Sequence, residues 1–284
     1  MALESFSPAQ LLALRFTTSG ALMLIVARAM KAHLPSGREL IYTALFGTLI
    51  LGIGNGCLAF AEEWIPSGLA AVFITTSPFW MVGFEAAFRG GERLHAPAIG
   101  GMLIGLAGTV LLVGPASLQH GFAGPLFIGF VTLQFGCCGW SLGSILQRRY
   151  PTRAHPAVSG AVQQLATGLV YSVAAAFAPA PPIRWTMRGA AAVLYLVIFG
   201  SIVGYSAYLY ALEHLPVSVV SIYNYVNPVV AVFLGWLFYR EPFGMRELAA
   251  MVVIFAGVAV VKRFSHTAPR TAAADARMEL STDA

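Results

Sequence analysis

Nine side chains stand out by type and spacing within long apolar stretches: Arg15, Asn55, Gln134, Trp140, Gln163, Tyr205, Tyr223, Asn224 and Asn227. They form no catalytic set. The sequence has no Gly-rich phosphate loop, no Ser/His/Asp grouping and no paired carboxylates in an apolar stretch. Nucleotide hydrolysis and covalent catalysis therefore have no foothold, and the chain does not read as an enzyme. Cys57, Cys137 and Cys138 lie in apolar runs without His or acidic neighbours at ligand spacing, so they read as small apolar fillers, and neither a metal nor a cofactor is implied. What the nine residues can do is bind. Amide, phenol, indole and guanidinium groups in apolar surroundings offer a few directed hydrogen bonds and aromatic faces to a small molecule.

Each carries a competing structural reading. Arg15 lies about 10 Å into its apolar stretch at 1.5 Å per helical residue, where a charge is costly. It either attracts an anionic group or pairs with a polar side chain on a neighbouring helix. Asn224 and Asn227 must face protein or water, because an unpartnered amide in hydrocarbon is expensive. Asn227 either bonds the carbonyls released by Pro228 or touches a solute, and Tyr223 and Asn224 are open to the same contact. Tyr205 and Tyr208 are placed to form an aromatic wall, and Gln134, Trp140 and the Gln163-Gln164 pair can bond a ligand. Glu85 precedes Arg89 by four residues, the spacing of a surface ion pair near the end of a helix.

These side chains need long apolar elements to hold them. The chain is 58% hydrophobic and 10% charged, against roughly 25% charged residues in soluble domains, so a soluble fold is excluded. Its basic residues sit singly in short loops, which does not make a nucleic-acid footprint. The predicted spans fall at 8–28, 39–61, 66–88, 96–114, 124–146, 156–177, 189–212, 216–239 and 243–261, each long enough to cross a hydrocarbon core of roughly 30 Å. Two are interrupted by proline, at Ser77-Pro78 and at Asn227-Pro228, and Pro78 and Pro228 are candidate hinges. Gly100, Gly101, Gly105 and Gly108 prepare one span for close helix packing.

The interruptions recur at a fixed offset. Glu213, Pro216 and Pro228 each follow Glu63, Pro66 and Pro78 by 150 residues, and Pro156 with Gln163 follows Pro8 with Arg15 by 148. The chain is a duplication. The helix before Pro156 has no counterpart before Pro8, because that position would precede Met1.

Together these features resemble a known family. A helix entered by Leu215-Pro216, broken at Asn227-Pro228 and closed by Gly235 to Pro242 (GWLFYREP) is similar to the second half of an EamA-family carrier of the drug/metabolite transporter superfamily. Ser77-Pro78 and Gly91 to Leu94 (GERL) resemble the matching helix of the first half. The resemblance implies an all-α polytopic membrane protein, an inverted repeat of two helical bundles. Nine transmembrane helices are read here against a family pattern of ten, the first being absent from this sequence. The copies are expected at 1–118 and 119–264, followed by a disordered cytoplasmic tail at 265–284.

Loop charge sets the expected orientation. Twelve Lys and Arg fall on one side (Arg28, Arg89, Arg148, Arg149 and Lys262 among them) and four, Arg184, Arg188, Arg240 and Arg246, on the other. This places the C-terminus in the cytoplasm of a cell with the protein in its inner membrane. The expected function is secondary-active or facilitative transport, with a small metabolite, amino acid or drug exported by alternating access through a central cavity. The partners are that solute and membrane lipid, in a monomer or homodimer. The alternative is a non-transporting membrane interaction protein with a degenerate carrier fold.

Overall fold

The computed structural model describes residues 2–65, 67–89, 91, 96–117, 124–177, 183, 185–227, 229, 230 and 244–264, and no strand occurs among them. The helices are α1 (Ala2–Ser5), α2 (Pro8–Ala29), α3 (Gly37–Ala61), α4 (Ser67–Ile74), α5 (Ser77–Ala87), α6 (Ala96–Ser117), α7 (Pro125–Arg149), α8 (Pro156–Phe177), α9 (Met187–His214), α10 (Val217–Ser221) and α11 (Met245–Phe264), with a further helical stretch at 223–227. Helices α2, α3, α7 and α9 are each long and apolar enough to cross a membrane. Outward faces of the bundle are apolar too: Ile25 on α2, Phe135 on α7, Leu169 on α8 and Val252 on α11 are all more than half exposed, as suits helices bathed in lipid. The protein is an all-helical, polytopic membrane fold.

Local sequence fixes the helix ends within a few residues of the expected spans. Ser7 caps α2 in a capping box: its Oγ accepts from Gln10 N at 3.4 Å, and Gln10 Oε1 accepts from Ser7 N at 3.0 Å. Pro8 then takes the first turn, where a missing N–H costs nothing. Thr186 caps α9 by accepting from Gly189 N at 3.0 Å.

The two copies run in opposite directions. Equivalent helices pack against each other as antiparallel pairs with reciprocal contacts. In the α2–α8 pair, a side chain at Gly20 would meet Leu165 and Ala161, and one at Gly168 would meet Thr17. In the α6–α11 pair, Gly108 faces Ile254 and Ala250, while Gly257 faces Gly105 and Gly101. Reciprocity of this kind marks a two-fold axis, and small residues let the backbones meet. The proline-interrupted segments obey the same rule. The C-terminal half of α5 (Met81, Phe84) packs with Phe88 against the start of α10 (Val217, Val220), so α5 ends where α10 begins. An inverted repeat is the arrangement that gives these contacts.

Three features depart from expectation. First, α3 and α9 are not regular. Each carries a π-helical stretch, Thr48–Asn55 and Leu196–Gly204, at corresponding points of the two copies. Such widened turns are rare and frequent at functional sites. Polar side chains of α8 serve the carbonyls there. Tyr171 Oη donates to Gly52 O at 2.7 Å, Thr167 Oγ1 to Gly47 O at 3.2 Å, and Gln164 Nε2 to Ser201 O at 3.2 Å.

Second, the break in the first proline-interrupted span falls ahead of its proline. The 66–88 span divides at Thr75-Thr76, and Pro78 opens the new helix α5. The later span turns at Ile222, ahead of the Asn-Pro pair. Pro228, the GWLFYREP run, Glu92 to Leu94 and the tail at 265–284 lie outside the described residues.

Third, Glu85 does not pair along its own helix with Arg89. Its Oε1 meets Arg149 Nη2 at 3.3 Å. Arg149 also donates to Arg89 O at 3.1 Å and lies over the Phe88 ring at 4.8 Å. Burial decides this. The carboxylate is 8% exposed, and in that setting a tertiary charge partner outweighs a solvated surface pair.

Candidate functional site

A cavity of about 610 Å³ lies between the copies, within the range of small-molecule sites. The first copy contributes Arg15, Phe16, Leu51 and Asn55; the second contributes Trp140, Ser201, Tyr205, Tyr208 and Tyr223 with the surrounding apolar residues of α9 and α10. A second chamber of about 190 Å³ adjoins it, reaching Ile74, Ser77, Cys137 and Asn224. Asn55, Trp140, Tyr223 and Asn227 line both, so they stand at the junction.

Both π-helical stretches border the larger chamber, through Leu51 and Asn55 on one side and Gly200, Ser201 and Gly204 on the other. Asn55 closes the first stretch and Tyr205 follows the second, and both stand in the cavity wall. Glycine at 200 leaves room for Arg15: a side chain there would come within 2.9 Å of Arg15 Nη2.

The aromatic wall is a single packed cluster. Trp140 lies 5.2 Å from Tyr208, Tyr208 5.4 Å from Tyr223, and Tyr205 6.1 Å from Tyr208, ring centre to ring centre. Hydrogen bonds fix the tilt of the rings. Trp140 Nε1 donates to Tyr208 Oη at 3.0 Å, and the Tyr208 and Ser144 hydroxyls are hydrogen-bonded at 2.7 Å. Tyr205 Oη donates to Gln163 Oε1. Two-bond side chains held this way lose little entropy when a ligand stacks on them.

Among the described residues lining either chamber, Arg15 is the charged one. Its Nε donates to Ser201 Oγ at 2.8 Å, which ties α2 of the first copy to the π-helical stretch of the second. Its guanidinium carbon lies 4.9 Å from the centre of the Phe16 ring.

Seven of the residues singled out from sequence line the cavity: Arg15, Asn55, Trp140, Tyr205, Tyr223, Asn224 and Asn227. Two do not. Gln134 serves the break before α5, where its Nε2 donates to Phe73 O at 3.4 Å and its Oε1 accepts from Thr76 Oγ1 at 3.0 Å and Trp80 Nε1 at 2.9 Å. Gln163 is fully buried and spends its amide on Gln147 and Tyr205. Asn224 also bonds the backbone: its Nδ2 donates to Ser221 O at 3.3 Å, just before the turn at Ile222. Ser201, Ser144 and Gly200 complete the site without a signal in the sequence, because a serine or glycine in an apolar stretch is most often packing.

With this geometry in hand, comparison with known proteins gives the family. The model of the EamA-like transporter family matches residues 1–114 and again 127–263. The chain belongs to the EamA-like transporter family. The two matches cover the two copies seen in the fold. The uncharacterized inner membrane transporter YedA of Escherichia coli strain K12 is 35% identical over 263 residues, covering 90% of this chain and 82% of that protein. The uncharacterized transporter YvbV of Bacillus subtilis is 22% identical, over 90% of this chain and 83% of its own length. Protein PecM of Dickeya dadantii is 24% identical, over 78% and 73%. One solved crystal structure superposes with a TM-score of 0.77 at 25% identity, covering 91% of this chain and 89% of that one. A transporter function follows from the family, and the multi-pass membrane fold is common ground.

Proposed function

We propose that the chain is a secondary-active or facilitative carrier that exports a small solute by alternating access through the cavity between its two copies. One observation supports this above the rest: the cavity sits on the pseudo-two-fold boundary, walled by both π-helical stretches and by residues of both copies. A site placed there changes exposure when one copy rocks against the other. A non-transporting protein with a degenerate carrier fold would have no need to keep such a chamber open or its aromatic wall ordered.

The larger chamber extends along α9 from Gly200 to Leu215. At that end Arg148 Nη1 donates to Leu215 O at 2.8 Å, and the Glu85–Arg149 pair lies nearby in chain and space. Glu39 accepts there from Arg153 N at 2.7 Å. The excess of loop Lys and Arg assigns this end to the cytoplasm, so the chamber reaches toward the inner face and the C-terminus is cytoplasmic. Pro78 and Pro228 would act as hinges that let the interrupted helices bend during turnover.

The test is counterflow in proteoliposomes holding the full-length chain, with a panel of labelled amino acids, organic acids, nucleosides and amines. The proposal expects saturable exchange of at least one class, lost on Tyr223→Ala. Flux equal to that of empty liposomes across the panel would refute it.

A further inference from the structure

We infer that the cavity selects a small organic anion, a monocarboxylate carrying an aromatic or flat apolar body. This rests on the carrier reading above and names the solute class of that same site.

Three observations lead there. Arg15 is a permanently charged group in the wall of a chamber that no carboxylate of the described residues lines. Among the described residues its hydrogen-bond partner is the neutral Ser201 hydroxyl, which engages Nε. That leaves the two terminal nitrogens without a hydrogen-bond partner among the described residues, and such a pair can hold a carboxylate through two parallel N–H···O bonds. Gly200 makes room for Nη2 at the chamber wall, since a methyl group added there would lie 2.9 Å from it.

Charge arithmetic then limits the ligand. In an apolar enclosure a net charge is strongly disfavoured. One guanidinium is neutralised by one negative charge, whereas a dianionic phosphate would leave a surplus with no second cation among the described residues lining either chamber. The rest of the wall sets the body of the ligand. Trp140, Tyr205, Tyr208 and Tyr223 present ring faces and edges, and their polar atoms are largely engaged with one another or with Ser144 and Gln163. Such a surface suits a flat ring stacked on it more than a polyhydroxylated solute.

The experiment is equilibrium binding of radiolabelled phenylacetate to the purified full-length chain in detergent. Competitors are 2-phenylacetamide (the neutral isostere), 2-phenylethylamine (a cation), acetate (no ring), phenyl phosphate and a short-chain anionic phospholipid. Phenylacetate should compete at least about tenfold better than its amide, its amine or acetate, and better than either phosphate compound. Arg15→Gln should bring phenylacetate and the amide within about twofold of each other, and Arg15→Lys should fall between. Should Arg15→Gln fail to fold, Gly200→Ala, which crowds Nη2, should weaken phenylacetate selectively.

Equal competition by the amide or amine, stronger displacement by phenyl phosphate or the phospholipid, or no phenylacetate binding would each overturn the inference. The assay needs no flux. Anion-selective binding without counterflow would sink the carrier reading alone, and counterflow of a neutral or cationic solute without anion preference would sink this inference alone.

Discussion

The reciprocal glycines at the pseudo-two-fold axis make a quantitative prediction. A methyl group added at Gly168 would lie 2.5 Å from Thr17 N, and one at Gly20 would lie 2.7 Å from Leu165 N. Ordinary contact begins at 3.4 Å, so α2 and α8 would have to part by roughly 0.9 Å in the first case and 0.7 Å in the second. Neither obstacle is a flexible side chain that can swing aside. Overpacking of this kind costs about 1–3 kcal/mol, which at roughly 2–4 °C per kcal/mol for chains near this size gives a melting shift of roughly 2–12 °C. Because one separation relieves both clashes, Gly20→Ala with Gly168→Ala should cost markedly less than the sum of the two. Gly100→Ala is the control: nothing lies within 4 Å of its added methyl, and alanine is the better helix former by about 1 kcal/mol. Thermal melting by fluorescence-detected gel filtration in detergent reads all four variants. Single mutants as stable as Gly100→Ala, or a strictly additive double mutant, would refute the antiparallel α2–α8 contact.

Further predictions concern the cavity and its supports. Tyr223→Ala and Asn224→Ala should abolish transport while leaving membrane insertion intact, checked by counterflow alongside expression in the membrane fraction. Gln163→Ala should destabilise the chain by about 1–3 kcal/mol, because the Gln147 amide and the Tyr205 hydroxyl lose their buried partner; unchanged melting would remove it from the framework. Pro228→Ala should slow turnover more than it weakens binding, and normal turnover would rule out a hinge. A cysteine placed after Arg263 should react in intact cells with membrane-permeant thiol reagents and not with impermeant ones; the opposite result would invert the assigned topology.

The parts legible in the sequence are those written in backbone chemistry. Prolines at a fixed offset revealed the duplication because a ring that removes an N–H must fall where a helix can tolerate it. Close-packing glycines marked α6 because only small residues permit such approach. Side-chain roles were harder to read. An amide in an apolar stretch announces that it needs a partner but not which one: Gln134 and Gln163 found protein partners, while Asn55 and Asn227 reached the cavity. Glu85 had a plausible neighbour four residues on, yet its partner came from 64 residues away in the other copy. The π-helical stretches left no local mark, since the carbonyls they disturb are served from α8, by residues such as Tyr171 and Gln164.

The central claim is that two antiparallel copies enclose a solute path which opens to each face in turn. Asn55, at the junction of both chambers, is the position to probe. In a background where Cys57, Cys137 and Cys138 are replaced by serine, Asn55→Cys should react with an impermeant thiol reagent applied to either face of oriented vesicles, and more slowly when transported solute is present. Reaction from neither face, or from one face alone under all conditions, would contradict it.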